Sequence, residues 1–163
     1  MPSIYASMTD PHHAPAVLAR MARLYAEDHS GADIDTSRFP RTIDTLLARP
    51  HHGRIILCFA DAAGINTPGA ASAPAGYAII IPFWSNEFGG TVALLDELYI
   101  LPEFRGQGLG KGVLDLIERD RPFDAVAVLL EVSEKNAKAR AFYEAIGLRA
   151  RSNLVMTKVF ESA

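Results

Sequence analysis

The chain has 163 residues, a formal net charge of −3 and an apolar fraction of 49%, which fits one globular domain large enough to bury a single core. No basic patch or stripe is present, which argues against a nucleic-acid partner, and no stretch approaches the roughly eighteen apolar residues of a membrane span. The single cysteine, Cys58, excludes an internal disulfide and suits a reducing compartment.

The N-terminus lacks a basic region followed by an apolar run, so no signal peptide is expected and the location expected is cytoplasmic. Ile4 to Met8 reads as a strand. Asp10-Pro11 is a helix-start signal, and Ala14 to Glu27 follows with an apolar face of Val17, Leu18, Met21, Leu24 and Tyr25. Phe39 to Leu47 predicts a short helix stopped by Pro50, and Arg54 to Ala60 a strand in which Cys58 reads as a buried small hydrophobe. Residues 61–75, rich in Gly, Ala, Pro, Ser and Asn, read as a long connection to a strand from Gly76 to Pro82. Asn86 to Gly90 is a turn, leading into a strand from Thr91 to Leu101.

The next segment, Arg105-Gly-Gln-Gly-Leu-Gly-Lys111, carries the strongest functional signal. It opens a helix running to about Asp120, with Leu109, Val113, Leu116 and Ile117 at helical spacing. A strand, a glycine turn and a helix together aim unpaired backbone N–H groups at an anion, and the helix dipole favours negative charge there. Two common phosphate loops fail on spacing. Gly106 and Gly110 are three residues apart rather than the four of a nucleoside-triphosphate loop, with Gly112 where a hydroxyl is needed. A dinucleotide G-x-G-x-x-G ends on Lys111 or Val113 instead of glycine. A plain glycine-rich strand-to-helix turn stays open at this point.

After the loop, Ala125 to Val132 reads as a parallel strand, apolar on both faces. A helix from Asn136 to Ile146 is closed by Gly147, and Asn153 to Phe160 reads as a final strand. Arg105, Gly108 and Gly110 meet the pattern R-x-x-G-x-G. In Asn136-Ala-Lys-Ala-Arg-Ala-Phe-Tyr143, an asparagine opens a helix, an alanine comes three residues later and a tyrosine seven residues later. Together with Leu95 to Arg105, which looks like a fourth strand and its exit turn, these segments resemble the GNAT N-acetyltransferase superfamily from Leu94 to about Phe160. The N-terminal part matches less specifically.

The resemblance implies a single GNAT-like acetyltransferase domain over residues 1–163. Its fold would be α/β (α+β): a mixed, mostly antiparallel sheet with a parallel central strand pair flanked by helices. It implies acetyl-CoA as cosubstrate and an amine acceptor, a small molecule or an exposed protein amino group, and it leaves a homodimer open. Cofactor contacts would come from Leu98, Tyr99 and Ile100 on the strand, from Arg105, Gly106, Gln107, Gly108, Leu109, Gly110 and Lys111 in the loop, and from Asn136, Ala139 and Phe142. Tyr143 would be the general acid that protonates the leaving thiolate, and Glu97 the general base acting through water. A non-catalytic acyl-CoA-binding module is the alternative.

The chemistry asks for such residues. A lysine-like amine has a pKa of about 10.4, so about one molecule in a few thousand is neutral at pH 7, and recovering that fraction is worth about 4–5 kcal/mol. Strict strand alternation would send Asp96 and Glu97 to opposite sheet faces. Glu131, near the end of the following strand, is the other base candidate. Tyr143 also lies on the apolar stripe Ala139, Phe142, Tyr143, Ile146, so simple packing stays open for it, as surface placement does for Arg105 and Lys111. Glu27, Asp28, Asp33 and Asp35 could draw a cationic amine or be solvated acids. Phe83, Trp84 and Phe88 could wall the acceptor or pack under a hairpin. The pairs His12-His13 and His51-His52 lack metal-ligand spacing, so no metal is expected.

Overall fold

The computed structural model describes residues 3–27, 35–60 and 73–160. The predicted connection at 61–75 therefore lies almost wholly outside the described residues, as do Asp28 and Asp33. Five strands form one sheet in the order β1-β2-β3-β4-β5: β1 Ser3–Ser7, β2 Arg54–Ala60, β3 Gly76–Ser85, β4 Gly90–Ile100 and β5 Ala127–Leu130. The first three pairings are antiparallel and β4–β5 is parallel, the expected parallel pair. Helices α1 Ala14–Glu27 and α2 Phe39–Ala48 precede β2, α3 Leu109–Asp120 joins β4 to β5, and α4 Ala137–Ala145 follows β5.

Each sheet face buries its own core. Ile55, Leu57, Phe59, Tyr77, Ile79 and Tyr99 pack against Val17 and Met21 of α1 and Phe39, Ile43 and Leu46 of α2. Ile56, Cys58, Ala78, Ile80, Ala93, Leu95 and Ile100 pack against Leu109, Val113, Leu114 and Ile117 of α3. The alternation in β2 and β3 thus feeds two layers, and both strands read as nearly continuous apolar runs because both faces are covered. Arg20 is the one buried charged residue among the described residues. Its Nη1 donates to the Ala16 carbonyl at 2.6 Å and its Nη2 to the Pro74 carbonyl, tying α1 to the chain just before β3. Pro82 lies beyond the end of β2 pairing at Ile80, where its missing N–H removes no ladder bond to β2.

Two expectations are corrected. Asn153 to Phe160 forms no strand; it is exposed, with Met156 at 92%, and pairs with no strand among the described residues. A strand needs a neighbour for its peptide groups, and an apolar alternation reveals none. Just before this segment, Arg151 pairs with Glu87 at 2.6 Å and lies 5.8 Å over the Phe88 ring. The strand at Ala127–Leu130 is only half-buried, since it is the outermost strand of the described sheet rather than one covered on both sides.

Candidate active site

The site is organised by one irregularity in β4. Ile79 faces Glu97 and Ile80 faces Leu95, so Asp96 is an extra residue with no partner, a β-bulge. The bulge shifts the side-chain parity of the strand. Ala93 and Leu95 before it and Leu98 and Ile100 after it all pack on the α3 face, while Tyr99 joins the α1–α2 core. Strict alternation across Asp96 and Glu97 therefore fails. The inserted residue, exposed at the strand surface, is what delivers Glu97 to the α1 side.

Beyond the bulge β4 also loses its second neighbour. Pairing to β5 covers Val92–Ala127 through Leu95–Leu130 and then stops. The Leu101 amide donates to the Ala75 carbonyl at 2.9 Å. In an alternating antiparallel ladder Tyr99 and Glu97 then exchange bonds with β3, and the peptide groups of Leu98 and Ile100 turn toward the side that β5 has left. That edge leaves the Leu98 peptide and the Ile100 amide without a strand partner among the described residues, while the Ile100 carbonyl accepts from Arg105 Nε.

The glycine turn lies at the end of this edge. Gly106 has φ +74° and Gly108 φ +86°, and a Cβ on either would meet no atom within 4 Å, so the loop is an open cradle that only backbone conformation reserves for glycine. Gly108 is the N-cap of α3 and offers no side chain, leaving the first amides of the helix pointing outward, a fit for phosphate oxygens. Arg105 to Gly108 are exposed and Leu109 is buried, anchoring the turn. The two cations are engaged within the chain: Lys111 pairs with Asp115 at 2.6 Å, and Arg105 pairs with Glu27 at 2.6 Å while its Nε donates to the Ile100 carbonyl at 2.8 Å. The Gln107 side chain donates to the Glu103 carbonyl at 3.0 Å.

Helix α4 closes the other wall. Asn136 caps it, its Oδ1 accepting from the Ala139 amide at 3.0 Å, and Gly147 ends it at φ +97°. A Cβ added to Gly110 would stand 3.5 Å from Phe142 and 3.8 Å from Leu98, so the first turn of α3, the free edge of β4 and α4 converge there. Tyr143, the next residue, packs on the α3-side core, and burial raises its hydroxyl above the ordinary tyrosine range. Among the described residues that hydroxyl has no hydrogen-bond partner.

Glu97 occupies the opposite face. Its Oε1 accepts from Tyr25 of α1 and its Oε2 from Tyr77 of β3, both at 2.7 Å. Burial raises its carboxyl above the usual range, the two phenol bonds pull it back down and nearby Asp96 adds to the rise. Tyr99 donates to Glu27 at 2.5 Å, the carboxylate that also holds Arg105. That contact keeps Glu27 below the ordinary carboxylate range, led by the Tyr99 bond. Glu131 is exposed just past β5.

The sequence reading missed Tyr25, assigned to a core stripe, and Tyr77. Helical spacing shows which face a tyrosine occupies but not that a carboxylate four elements away will sit opposite its hydroxyl. Phe83, Trp84 and Phe88 line the β3–β4 hairpin and are exposed, Trp84 at 69%, so they do not pack beneath it. Asp35 is spent on its own turn, accepting from Ser37 and pairing with Arg38 at 3.2 Å. Among the described residues no three His, Cys, Asp or Glu side chains gather as a metal site, and no helix is long and apolar enough to cross a membrane.

Comparison with known proteins bears on the family and the fold. The profile of the Acetyltransferase (GNAT) family matches residues 18–148, from α1 to the end of α4, and the chain belongs to that family. A curated relative, glucosamine 6-phosphate N-acetyltransferase of Trypanosoma brucei brucei, is 38% identical over 63 residues, a match spanning 38% of this chain and 41% of the relative. The chain thus matches less than half the length of that relative. Among solved structures, aminoglycoside N-acetyltransferase AAC(6')-Iy in complex with CoA superposes with a TM-score of 0.74 at 14% identity, covering 97% of this chain and 95% of that one. Glucosamine-6-phosphate N-acetyltransferase from Arabidopsis thaliana superposes with a TM-score of 0.66 at 17% identity, covering 99% and 100%. The fold is that of an acetyltransferase.

Proposed function

We propose that the chain transfers an acetyl group from acetyl-CoA to a primary amine, by direct attack of the amine. The observation that carries this reading is the free edge of β4 beyond the Asp96 bulge, bounded by the glycine turn, α4 and Glu97. Bound acetyl-CoA would supply the thioester, its pyrophosphate on the amides of Leu109, Gly110 and Lys111 and its pantetheine arm along Leu98 and Ile100. Tyr143, raised by burial and so protonated at neutral pH, is suited to give a proton to the departing sulfur. Glu97, whose carboxylate form accepts from two phenols, is suited to take the proton of the incoming ammonium. The carboxylates of Glu97 and Asp96 favour a cationic acceptor. Arg105 then serves mainly to brace the exit of β4 against α1, since its charge is already matched by Glu27.

Amino sugars are the first acceptors to try, because the relatives named above act on, or are named for, glucosamine 6-phosphate and aminoglycosides. The test is amine-dependent thiol release from acetyl-CoA across a panel of glucosamine 6-phosphate, neamine, a polyamine and a lysine peptide. Release with at least one amine supports the reading. Coenzyme A binding without release from any of them would leave a binding module.

A further inference from the structure

We propose that Glu27 is a positioning residue: from the last turn of α1 it sets the glycine turn, through Arg105, at a fixed place relative to Glu97. The inference rests on the transferase reading above and gives a role to a carboxylate that this reading leaves unused.

Two tyrosine–carboxylate bonds join α1 to β4, and they run in opposite senses. Tyr25 of α1 donates to Glu97 of β4 at 2.7 Å, and Tyr99 of β4 donates to Glu27 of α1 at 2.5 Å. The paired residues are two positions apart on each element, so the end of α1 grips the strand at two points. The first point holds the base. The second leads to the cofactor side. The other oxygen of Glu27 accepts from Arg105 Nη2 at 2.6 Å, and Arg105 Nε donates to the Ile100 carbonyl at 2.8 Å. The Arg105 guanidinium lies 5.3 Å from the centroid of the Tyr99 ring. Glu27, Tyr99, Ile100 and Arg105 close a ring of contacts around the exit of β4, and Gly106 is the next residue.

The glycine turn does not fix its own direction, since Gly106 and Gly108 are left-handed with open space around them. Downstream it is anchored by buried Leu109, whose carbonyl accepts from Tyr5. Upstream, Arg105 ties it to the body of the domain, and Glu27 holds Arg105. Magnitudes separate holding the turn from holding the fold. The Glu27 and Arg105 side chains are 43% and 40% exposed, and an ion pair so open to water adds little to folding. Misplacing a bound reactant by about 1 Å, in contrast, costs on the order of 10²-fold in rate. A lone carboxylate one side chain away from a phosphate cradle would repel the phosphate. Matched by Arg105, it serves as an anchor.

The experiment measures coenzyme A affinity by calorimetry, and kcat/KM for acetyl-CoA against pH, in the wild type, Glu27→Gln, Tyr99→Phe, Arg105→Gln and the double variant Glu27→Gln/Arg105→Gln. Glutamine offers one oxygen where the carboxylate offers two, so one of the two contacts is lost. Coenzyme A affinity should fall by about tenfold in Glu27→Gln, a usual size for coupling through an intermediary. Tyr99→Phe, which keeps the ring beside Arg105, should move it in the same direction. The double variant should bind no more weakly than Arg105→Gln, because Glu27 acts through Arg105. The thermal midpoint and the acidic limb of the pH profile should stay in place, since Glu97 keeps both phenols. Tighter coenzyme A binding by Glu27→Gln would overturn the proposal, making Glu27 a competitor of phosphate for Arg105. Unchanged affinity, or additive losses in the double variant, would overturn it as well. If these affinity shifts appear but no amine of the panel releases thiol, the transferase reading fails and the positioning of the cofactor stands. A wild-type chain that binds no coenzyme A overturns both.

Discussion

The hydroxyl of Tyr5 on β1 donates to the carbonyl of Leu109 in the first turn of α3, across 3.0 Å. An edge strand at one end of the sheet thereby fixes the helix whose N-terminus forms the phosphate cradle. The contact requires Gly112, because a Cβ there would lie 1.8 Å from the Tyr5 oxygen. The sequence reading noted Gly112 only as the residue that breaks a nucleotide-loop pattern; its role is to let Tyr5 approach.

Gly112→Ala should therefore destabilise the fold by about 1–3 kcal/mol, the usual cost of overpacking. Tyr5→Phe, which loses the hydrogen bond alone, should cost about 0.5–1.5 kcal/mol. Urea denaturation of the two single variants and the double variant checks this. Because both act on one contact, the effects should be less than additive; strictly additive losses would mean that Tyr5 and Gly112 do not share a contact.

At Gly108 two substitutions separate conformation from charge. Any L-residue at φ +86° is strained by about 1–2 kcal/mol, although the space around it is open. Gly108→Ala should show that loss in thermal denaturation and retain measurable coenzyme A binding by calorimetry. Gly108→Asp carries the same strain and adds negative charge at the helix N-terminus, so binding should disappear. Equal binding by the two variants would remove phosphate from that turn.

Tyr143→Phe keeps the ring packed on the α3-side core and removes the proton donor. Turnover should fall by about 10²-fold or more with coenzyme A affinity unchanged. Steady-state kinetics where chemistry limits turnover checks this, and an unaltered rate would return Tyr143 to packing.

Much of the fold was legible in the sequence because its signals are local. Asp10-Pro11, the α1 periodicity, the Gly108 turn and the Asn136 and Gly147 caps each act within a few residues, and the helix and strand bounds follow them closely. What depends on distant partners was not legible. The bulge at Asp96 is a mismatch of length between two paired strands, invisible in either alone, and it decides which face Glu97 occupies. The engagement of Arg105 by Glu27, 78 residues apart, redirects a side chain whose sequence context pointed to phosphate. The alternation of Asn153 to Phe160 has no partner strand among the described residues, which no pattern within the segment can reveal.

Glu97→Gln should lower kcat/KM at neutral pH and recover as pH approaches the acceptor's own pKa, by about tenfold per unit while the neutral amine remains scarce. Wild-type activity, which needs the carboxylate ionised, should fall as pH drops through a Glu97 value that burial has raised. The exposed Glu131, as Glu131→Gln, should leave the profile in place. A pH-dependent defect in Glu131→Gln and not in Glu97→Gln would move the base to the end of β5.

The most direct test of where the cofactor binds is residue-resolved amide hydrogen exchange with and without acetyl-CoA. Exchange should slow, by about tenfold or more at saturation, at the amides of Leu98, Ile100, Leu109, Gly110 and Lys111. Amides of Val92 to Leu95, where β4 already has β5 as a neighbour, should be unaffected. Protection absent from the β4 edge and the α3 turn, or confined to another face, would place the cofactor elsewhere.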